Sequence, residues 1–447
     1  MQVLLIRPPR REAGDMGLSV PPLGLAYIAA SLIKEGHTVE ILDAYAQRWS
    51  WSQFEQHMSS VQCDVIGFSA MTPTMDVVQR ALPMVRQSAR WIILGGPHPT
   101  AVREQVFVQM PLLDAAVVGE GEDIAVNLLS WFEGKARFPD GVLHREHSFR
   151  EASPPDVRAL AFPARHLLPQ SSYRYLFATR RGFATMITSR GCPFRCSFCD
   201  KSVGGSRWRA RTAVDVVNEL EMLEQQGIGF VNFYDDNFTL HPRRVEDICN
   251  EILKRGLKIE WKCEGRVDSV DVELLTLMKR AGCRVIAYGV ESGNSAALEF
   301  LRKDINIEQT QSAFVATHKA GIRTLAYMIL GVPGETEQDV RNSIWFADKK
   351  LRASYAQFSS LNAMPGTPIY GHPATKSVKN PVDSDRHRAT VTDLSELQLK
   401  RLLKEAWVRF YLNPKRLGRL GLDVWRSGSF DEGARLALAM GKWSVYG

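Results

Sequence analysis

The chain has 447 residues, 45% of them hydrophobic, the composition of a globular protein with enough apolar mass for two or three domains. Of its net charge of +7, the stretch from Asp385 onward carries +5, with twelve Lys and Arg against seven Asp and Glu. A solvated helical face explains this better than a nucleic-acid or other anionic partner. The apolar run Val3 to Ile6 is too short for a secretion signal, and the longest one, Leu23 to Ile33, reaches about half a membrane span, so a cytoplasmic protein with no membrane partner is expected.

In the front part, residues 1–148, short β-branched runs alternate with amphipathic stretches. Strands are predicted over Gln2 to Arg7, Thr38 to Asp43, Val65 to Ser69, Trp91 to Gly95 and Ala115 to Gly119, with helix-length segments between them such as Leu23 to Glu35, closed by Gly36. Near-continuous apolar strands alternating with helices predict a parallel, doubly wound, Rossmann-like α/β sheet, whose ligands sit beyond the carboxyl ends of the strands. Those ends are Arg7-Pro8-Pro9, Asp43-Ala44, Ser69 to Thr72, Gly95 to His98 and Gly119 to Glu122. Residues 149–183, rich in Pro, Arg and Ala, read as a linker between domains.

A second alternation begins at Ala184, with strands predicted to end near Ser189, Tyr234, Glu264, Glu291, Leu330 and Leu361 and helices such as Thr212 to Gln226 and Asp271 to Arg280 between them. Six such units fit a partial (β/α)6 TIM-type barrel over residues 184–371, which builds its site from the loops after the strands. The pattern lapses from His372 to Thr390 and resumes as helix from Leu394 to Tyr411, so residues 372–447 read as a helical C-terminal region.

Three of the seven cysteines crowd into eight positions, while Cys63, Cys249, Cys263 and Cys283 are scattered in apolar or helical contexts, which is metal-site usage and not a disulfide framework. Directly after the first barrel strand stands Ser189-Arg-Gly-Cys192-Pro-Phe-Arg-Cys196-Ser-Phe-Cys199. Three thiolates at this spacing can converge on one four-iron cubane and leave one iron open to an exogenous chelate. A structural zinc calls for a fourth Cys or His at ligand spacing, and the nearest downstream histidine, His241, is far along the chain. Buried structural cysteines are the other alternative, and a Gly/Pro/Arg-rich loop disfavours them.

With Phe198 as the aromatic residue of C-x3-C-x-(aromatic)-C, the sequence resembles the radical SAM superfamily. The resemblance implies a [4Fe-4S] cluster on Cys192, Cys196 and Cys199, with S-adenosylmethionine (SAM) chelating the fourth iron and cleaved reductively to a 5′-deoxyadenosyl radical. It places Asp235, Asp236 and Asn237 near the SAM amino group, although Asp-Asp-Asn-Phe stands here where relatives have Gly-Gly-Glu. Glu264 and Arg266 end the third strand; Glu291-Ser292-Gly293 is implied beside the ribose and carboxylate, and Gly331-Val-Pro333-Gly334-Glu335 beside the adenine. Each has a plainer reading: Gly-x-Pro-Gly is a turn, Glu335 is helix-start chemistry, and Asp-Asp is a solvated loop.

The front part resembles the cobalamin-binding-like domain that precedes such barrels, through Pro21-Pro22-Leu23-Gly24-Leu25, Gly67-Phe-Ser69-Ala70-Met71-Thr72, Gly95-Gly96-Pro97-His98-Pro99 and Val118-Gly119-Glu120-Gly121-Glu122. Ser69, Thr72, Gly95, Gly96, Gly119 and Glu120 are the implied pocket. The Asp-x-His-x-x-Gly loop whose His ligates cobalt from below is absent, and His37 and His98 have other neighbours. Cobalamin without a lower His ligand is one expectation; a cofactor-free wall enclosing the substrate is the other.

The expected activity is radical modification of a small-molecule biosynthetic intermediate, as in natural-product pathways, with an electron donor such as flavodoxin or ferredoxin. Cobalamin-dependent C-methylation is favoured. Cobalamin-independent dehydration, epimerisation or cyclisation of a sugar-like or other small metabolite is the alternative, with Asp235 or Glu264 as acid or base. An RNA methylthiotransferase would carry three further front-half cysteines where this chain has Cys63 alone. A redox sensor would not need so many strand-end motifs.

Overall fold

A computed structural model describes residues 1–11, 19–373, 391–430 and 433–434. The front sheet comprises β1 (Gln2–Arg7), β2 (Thr38–Asp43), β3 (Cys63–Ser69), β4 (Ala89–Gly95), β5 (Ala115–Val117) and β6 (Val142–Leu143), in the order β2-β1-β3-β4-β5-β6. Its strands are apolar on both faces for a reason visible in β1. Val3 and Leu5 enter one core with Leu25 and Leu32, and Leu4 and Ile6 enter the other with Phe54 and Ile66. The strands β1 to β5 run parallel, and β6 pairs antiparallel with β5. The five predicted strands are thus parallel as expected; β6 is not among them, because two residues are too short to leave a periodic signal. Because β1 sits between β2 and β3, the connections leave it in opposite directions, and a crevice opens beyond the carboxyl ends there.

The second sheet is the expected half-barrel of six parallel strands, β7 (Phe183–Met186), β10 (Phe230–Phe233), β11 (Glu260–Gly265), β12 (Cys283–Glu291), β13 (Arg323–Leu330) and β14 (Tyr355–Ser360). Between β7 and β10 lies a two-residue antiparallel bridge, β8 (Ser189–Arg190) with β9 (Arg209–Ala210). The first barrel strand thus stops at Met186, three residues before the predicted end, and Ser189 belongs to the bridge. Helices wrap the outside and start where their caps allow: Thr212 accepts from the Asp215 amide and Asp271 from the Leu274 amide, each cap worth about 1 kcal/mol.

Residues 149–183 are more than the predicted linker. Ala164, Leu168, Tyr173 and Tyr175 are buried in an apolar cluster that contains both Val3 and Leu25 of the front unit and Phe183 and Phe230 of the barrel. Tyr173 donates to Asp43 at 2.8 Å, and buried Arg165 pairs with Glu219 at 2.6 Å. The segment is therefore a strap that fixes the two units together, and its irregularly spaced aromatic residues gave the sequence no period to read.

The helix Glu396–Tyr411 packs on the barrel edge, with Tyr411 donating to the Ala356 carbonyl at 2.8 Å. In the next helix, Pro414–Ser427, Asp423 is fully buried and accepts from Arg323 at 2.5 Å, while Arg416 pairs with Asp348. The basic tail therefore carries buried ion pairs as well as a solvated face. The predicted lapse between His372 and Thr390 lies, from residue 374, outside the described residues. No helix among the described residues is long and apolar enough to cross a membrane.

Candidate active site

The cysteine loop leaves the barrel through β8 and returns through β9, so Arg190 and Arg209 face each other at its neck. Gly191 holds φ +84°, and a Cβ there would lie 2.3 Å from the Arg207 carbonyl oxygen, so only glycine fits this turn. Beyond it Cys196 is buried and Cys192 and Cys199 are half-buried. The loop is anchored by the Ser197 amide on the Leu301 carbonyl at 2.9 Å and the Ile369 amide on the Ser197 carbonyl at 3.0 Å. Burial pushes the Cys199 thiol up to about 11, with Cys196 and Cys192 adding to the shift. The Cys196 thiol is also raised by burial, against the lowering influence of Lys303 and Arg266. The three thiols thus share one electrostatic site. No group of three ligand side chains among the described residues closes on a single ion, and a cubane does not ask them to, since each sulfur binds a different iron.

Around the loop stand two cations. Arg266 lies 3.6 Å over the Phe194 ring and donates to Asp268 and to the Lys303 carbonyl. Lys303 lies 5.7 Å from the centre of the Phe198 ring and pairs with Glu291 at 2.7 Å, both nearly buried. Glu291 sits at a β-bulge with φ +65°, a conformation that costs a non-glycine residue about 1 kcal/mol and persists only where surroundings impose it. Gly289 leaves the room: a Cβ there would come within 2.3 Å of the Glu291 carboxylate.

The strand-end residues divide into groups with different tasks. Asp235 accepts from the Thr188 amide at 2.6 Å and from the Thr188 and Ser189 hydroxyls at 2.5 Å, so its oxygens hold the start of the cysteine loop. Asp236 accepts from the Gly191 amide at 2.8 Å, and burial raises its carboxyl. Asn237 is buried with its amide nitrogen unpartnered among the described residues. Ser292 donates to Glu335 at 3.2 Å, and the Gly293 amide donates to Ser343 at 3.0 Å. Glu335 also accepts from the Gly331 and Val332 amides at 3.1 and 2.8 Å, and burial raises it. The helix start read into Glu335 belongs instead to Thr336, which caps through Asp339. Glu335 joins the β12 and β13 exits. Pro333 and Gly334 complete that turn, with the Gly334 amide donating to Asp393 at 2.8 Å.

Glu264 faces the inside of the half-barrel. It is bonded to the fully buried Lys262, and Tyr327 donates to it at 3.2 Å. Lys262 also donates to Asn232 at 3.3 Å, and Glu264 holds its ammonium protonated against the cost of burial. Sequence reading missed this polar lumen; a lysine inside Trp261-Lys262-Cys263 of an otherwise apolar strand was its signal.

Between the front sheet and the cysteine loop lies a cavity of about 420 Å³. On the front-sheet side its lining is apolar, with Leu5, Leu25, Ile28, Val65, Ile93 and Leu129, and on the barrel side it reaches Ser189, Arg190, Gly204, Tyr234 and Asp236. Of the residues implied for the front pocket, Ser69, Gly95, Gly96, Gly119 and Glu120 line this cavity, and Thr72 does not. Thr72 bonds His98 at 3.0 Å, and the other ring nitrogen of His98 meets Gln109 at 2.8 Å. His37 bonds the terminal amine of Met1 at 3.2 Å, at the opposite end of the sheet. Neither histidine lines the cavity. A Cβ at Gly24 or Gly119 would meet nothing within 4 Å, so bare backbone borders open space there. An apolar slot bordered by bare glycine backbone fits the flat benzimidazole end of a cobalamin.

Front unit and loop meet through four charges. Arg190 donates to Glu120 and Glu122, each at 2.6 Å, and Arg209 also pairs with Glu120. The sequence-level signal was slight: arginines beside Cys192 and in Trp208-Arg-Ala-Arg211.

Comparison with known proteins agrees with this geometry. The Radical SAM superfamily model matches residues 186–347 and the B12 binding domain model residues 13–129. The chain is 33% identical over 438 residues to an uncharacterized methyltransferase of Pyrococcus horikoshii, covering 93% of this chain and 94% of that protein. It is 30% identical over 363 residues to an anaerobic magnesium-protoporphyrin IX monomethyl ester cyclase of Rubrivivax gelatinosus, covering 77% of this chain and 65% of that longer protein. Its fold is shared with the radical SAM methyltransferase TsrM of Kitasatospora setae, solved with cobalamin and a [4Fe-4S] cluster: TM-score 0.69 at 22% identity, over 83% of this chain and 74% of that one. The chain belongs to the radical SAM superfamily, as a [4Fe-4S]- and SAM-dependent enzyme whose half-barrel is preceded by a B12-binding domain.

Proposed function

We propose that the enzyme methylates an unactivated carbon of a small biosynthetic intermediate, with a corrinoid held in the front cavity. The observation that carries this is the cavity's lining, which includes Ser189, Arg190 and Asp236 at the base of the cysteine loop. In this reading Cys192, Cys196 and Cys199 would hold the cluster, which would supply the electron for reductive cleavage of SAM, and the front cavity lined by Gly95, Gly96, Gly119 and Glu120 would hold the corrinoid, which would supply the methyl group. Residues 1–148 then form the corrinoid unit, 149–183 the strap, 184–371 the radical barrel and 372–447 the C-terminal region, whose described helices Glu396–Tyr411 and Pro414–Ser427 cover the barrel edge.

Asp236, Asn237, Glu291, Ser292, Gly293, Gly331, Pro333 and Gly334 are assigned to SAM, while Asp235 acts by holding Thr188 and Ser189 in place. Glu264 faces the substrate and, with Tyr327 and Lys262, holds or moves a proton there. The reductant is a small electron carrier of the flavodoxin or ferredoxin class. The Lys262–Glu264–Tyr327 group also favours a second reading, in which no corrinoid takes part and the substrate radical undergoes dehydration, epimerisation or cyclisation.

The test is anaerobic incubation of the reconstituted protein with SAM and a strong reductant, with and without methylcobalamin, followed by repurification. The methyl-transfer reading expects 5′-deoxyadenosine together with a retained corrinoid spectrum. 5′-Deoxyadenosine from a protein that retains no corrinoid leaves the second reading in its place.

A further inference from the structure

We propose that Glu120 is a positioning residue that couples occupancy of the front cavity to the geometry of the cysteine loop. The inference rests on the reading that this cavity holds a corrinoid. Glu120 follows β5 and lines the cavity, yet both of its oxygens are taken by guanidinium groups of the other unit. Those groups belong to Arg190 and Arg209, the two residues paired across the neck of the cysteine loop. One carboxylate therefore grips both ends of the loop that carries Cys192, Cys196 and Cys199.

The grip has no slack on the barrel side. Arg209 also donates to the Gly204 carbonyl at 3.3 Å, inside the loop, and to the Pro155 carbonyl at 3.0 Å, on the strap. Arg190 adjoins Gly191, whose α-carbon is packed so closely on the Arg207 carbonyl that no side chain fits, and Cys192 follows. A displacement of Arg190 is thus passed to the first cluster ligand. On the cavity side Glu120 itself is nearly buried, so the strength of its ion pairs depends on the water in the cavity that it lines, because charge pairs strengthen as the local dielectric falls. A ligand that fills the cavity displaces that water and tightens the clamp. With Glu122 on the second arm of Arg190, two guanidinium and two carboxylate groups balance, so the network stays buried at no net charge.

The test uses full-length protein with its cluster reconstituted and hydroxocobalamin as the probe. The rate of iron loss to a ferrous chelator is measured with and without hydroxocobalamin at a concentration that saturates each protein. In the wild type, hydroxocobalamin is expected to slow iron loss by about fivefold or more, the lower end of ordinary coupling. Glu120→Gln and Arg209→Lys are expected to cut that protection to below about twofold; the lysine keeps the charge but not the two-pronged contact, and it serves if Glu120→Gln does not fold. Variants that lose iron faster by one common factor with and without hydroxocobalamin point to a merely structural role and overturn the proposal. Wild-type protein that binds hydroxocobalamin without any protection overturns the coupling and leaves the corrinoid reading intact. Wild-type protein that binds no hydroxocobalamin overturns both.

Discussion

The front cavity and the mouth of the half-barrel are built the same way, at the carboxyl ends of parallel strands, and they differ in what those ends carry. In the front sheet they carry Gly95, Gly96, Gly119 and aliphatic neighbours, and apart from Glu120 and its clamp the cavity has few charges to offer. In the barrel they carry Asp235, Asp236, Glu264, Arg266 and Glu291, most already bound to other side chains or to backbone amides. The first site selects by shape, and its specificity lies in space left open. The second selects by charge, and its specificity lies in groups held rigid in advance. A substitution should therefore damage one site by filling it and the other by unpairing it.

The largest expected effect separates the two sites outright. Cys196→Ala should reduce 5′-deoxyadenosine formation by more than about a hundredfold, with loss of iron and sulfide, because an Fe–S cluster depends on its thiolate ligands. Hydroxocobalamin binding to the front cavity should persist, weakened by no more than the coupling between the two sites; its disappearance would show that the two sites do not form independently.

A comparable experiment on the other side is Ala125→Phe, which projects a ring into the apolar slot that Ala125 lines. Hydroxocobalamin should bind about tenfold or more weakly, a loss of roughly 1.4 kcal/mol, while iron content stays at the wild-type level. An unchanged affinity would mean that the slot is not where the ligand's apolar part resides.

Unpairing is tested in the lumen. Glu264→Gln leaves the fully buried Lys262 ammonium without its carboxylate, and breaking such a pair costs roughly 3 kcal/mol. Chemical denaturation should report that loss, and adding Lys262→Met should recover most of it. A double variant as unstable as the single one would contradict a charge-pair origin.

The smallest effect concerns Glu335. Burial holds its carboxyl above the usual value of 4.5, so the folded chain favours the protonated form. Its contribution to stability is complete below about pH 4.5 and is lost as pH rises through the folded value. Glu335→Gln should flatten the dependence of the unfolding free energy on pH above about 4.5, by at most about 1.4 kcal/mol per pH unit. An identical slope in both proteins would place the charge elsewhere.

The two regions also differ in how far they could be read beforehand. The cysteine loop and the barrel strand ends announce themselves through residue types that are rare in apolar strands, and strands β10 to β14 end within one or two residues of their predicted ends. The front pocket was readable as glycines at strand ends but not as a volume. Thr72 resembled its neighbours in sequence, yet it turns to His98 because the short helix after Gly96 brings that ring over it. Glu335 looked like a helix start until its carboxylate was seen bridging two strand exits.

What the sequence determined by itself was local: hydrophobic period, which sets strands and helices, and the spacing of three cysteines, which sets the class of metal centre. Which charges meet was decided by tertiary structure alone. Glu120 and Arg209 are 89 positions apart, and no local pattern relates them. They are neighbours because the strap 149–183 packs both units into one apolar cluster, and a buried charge can persist only where the fold delivers its opposite.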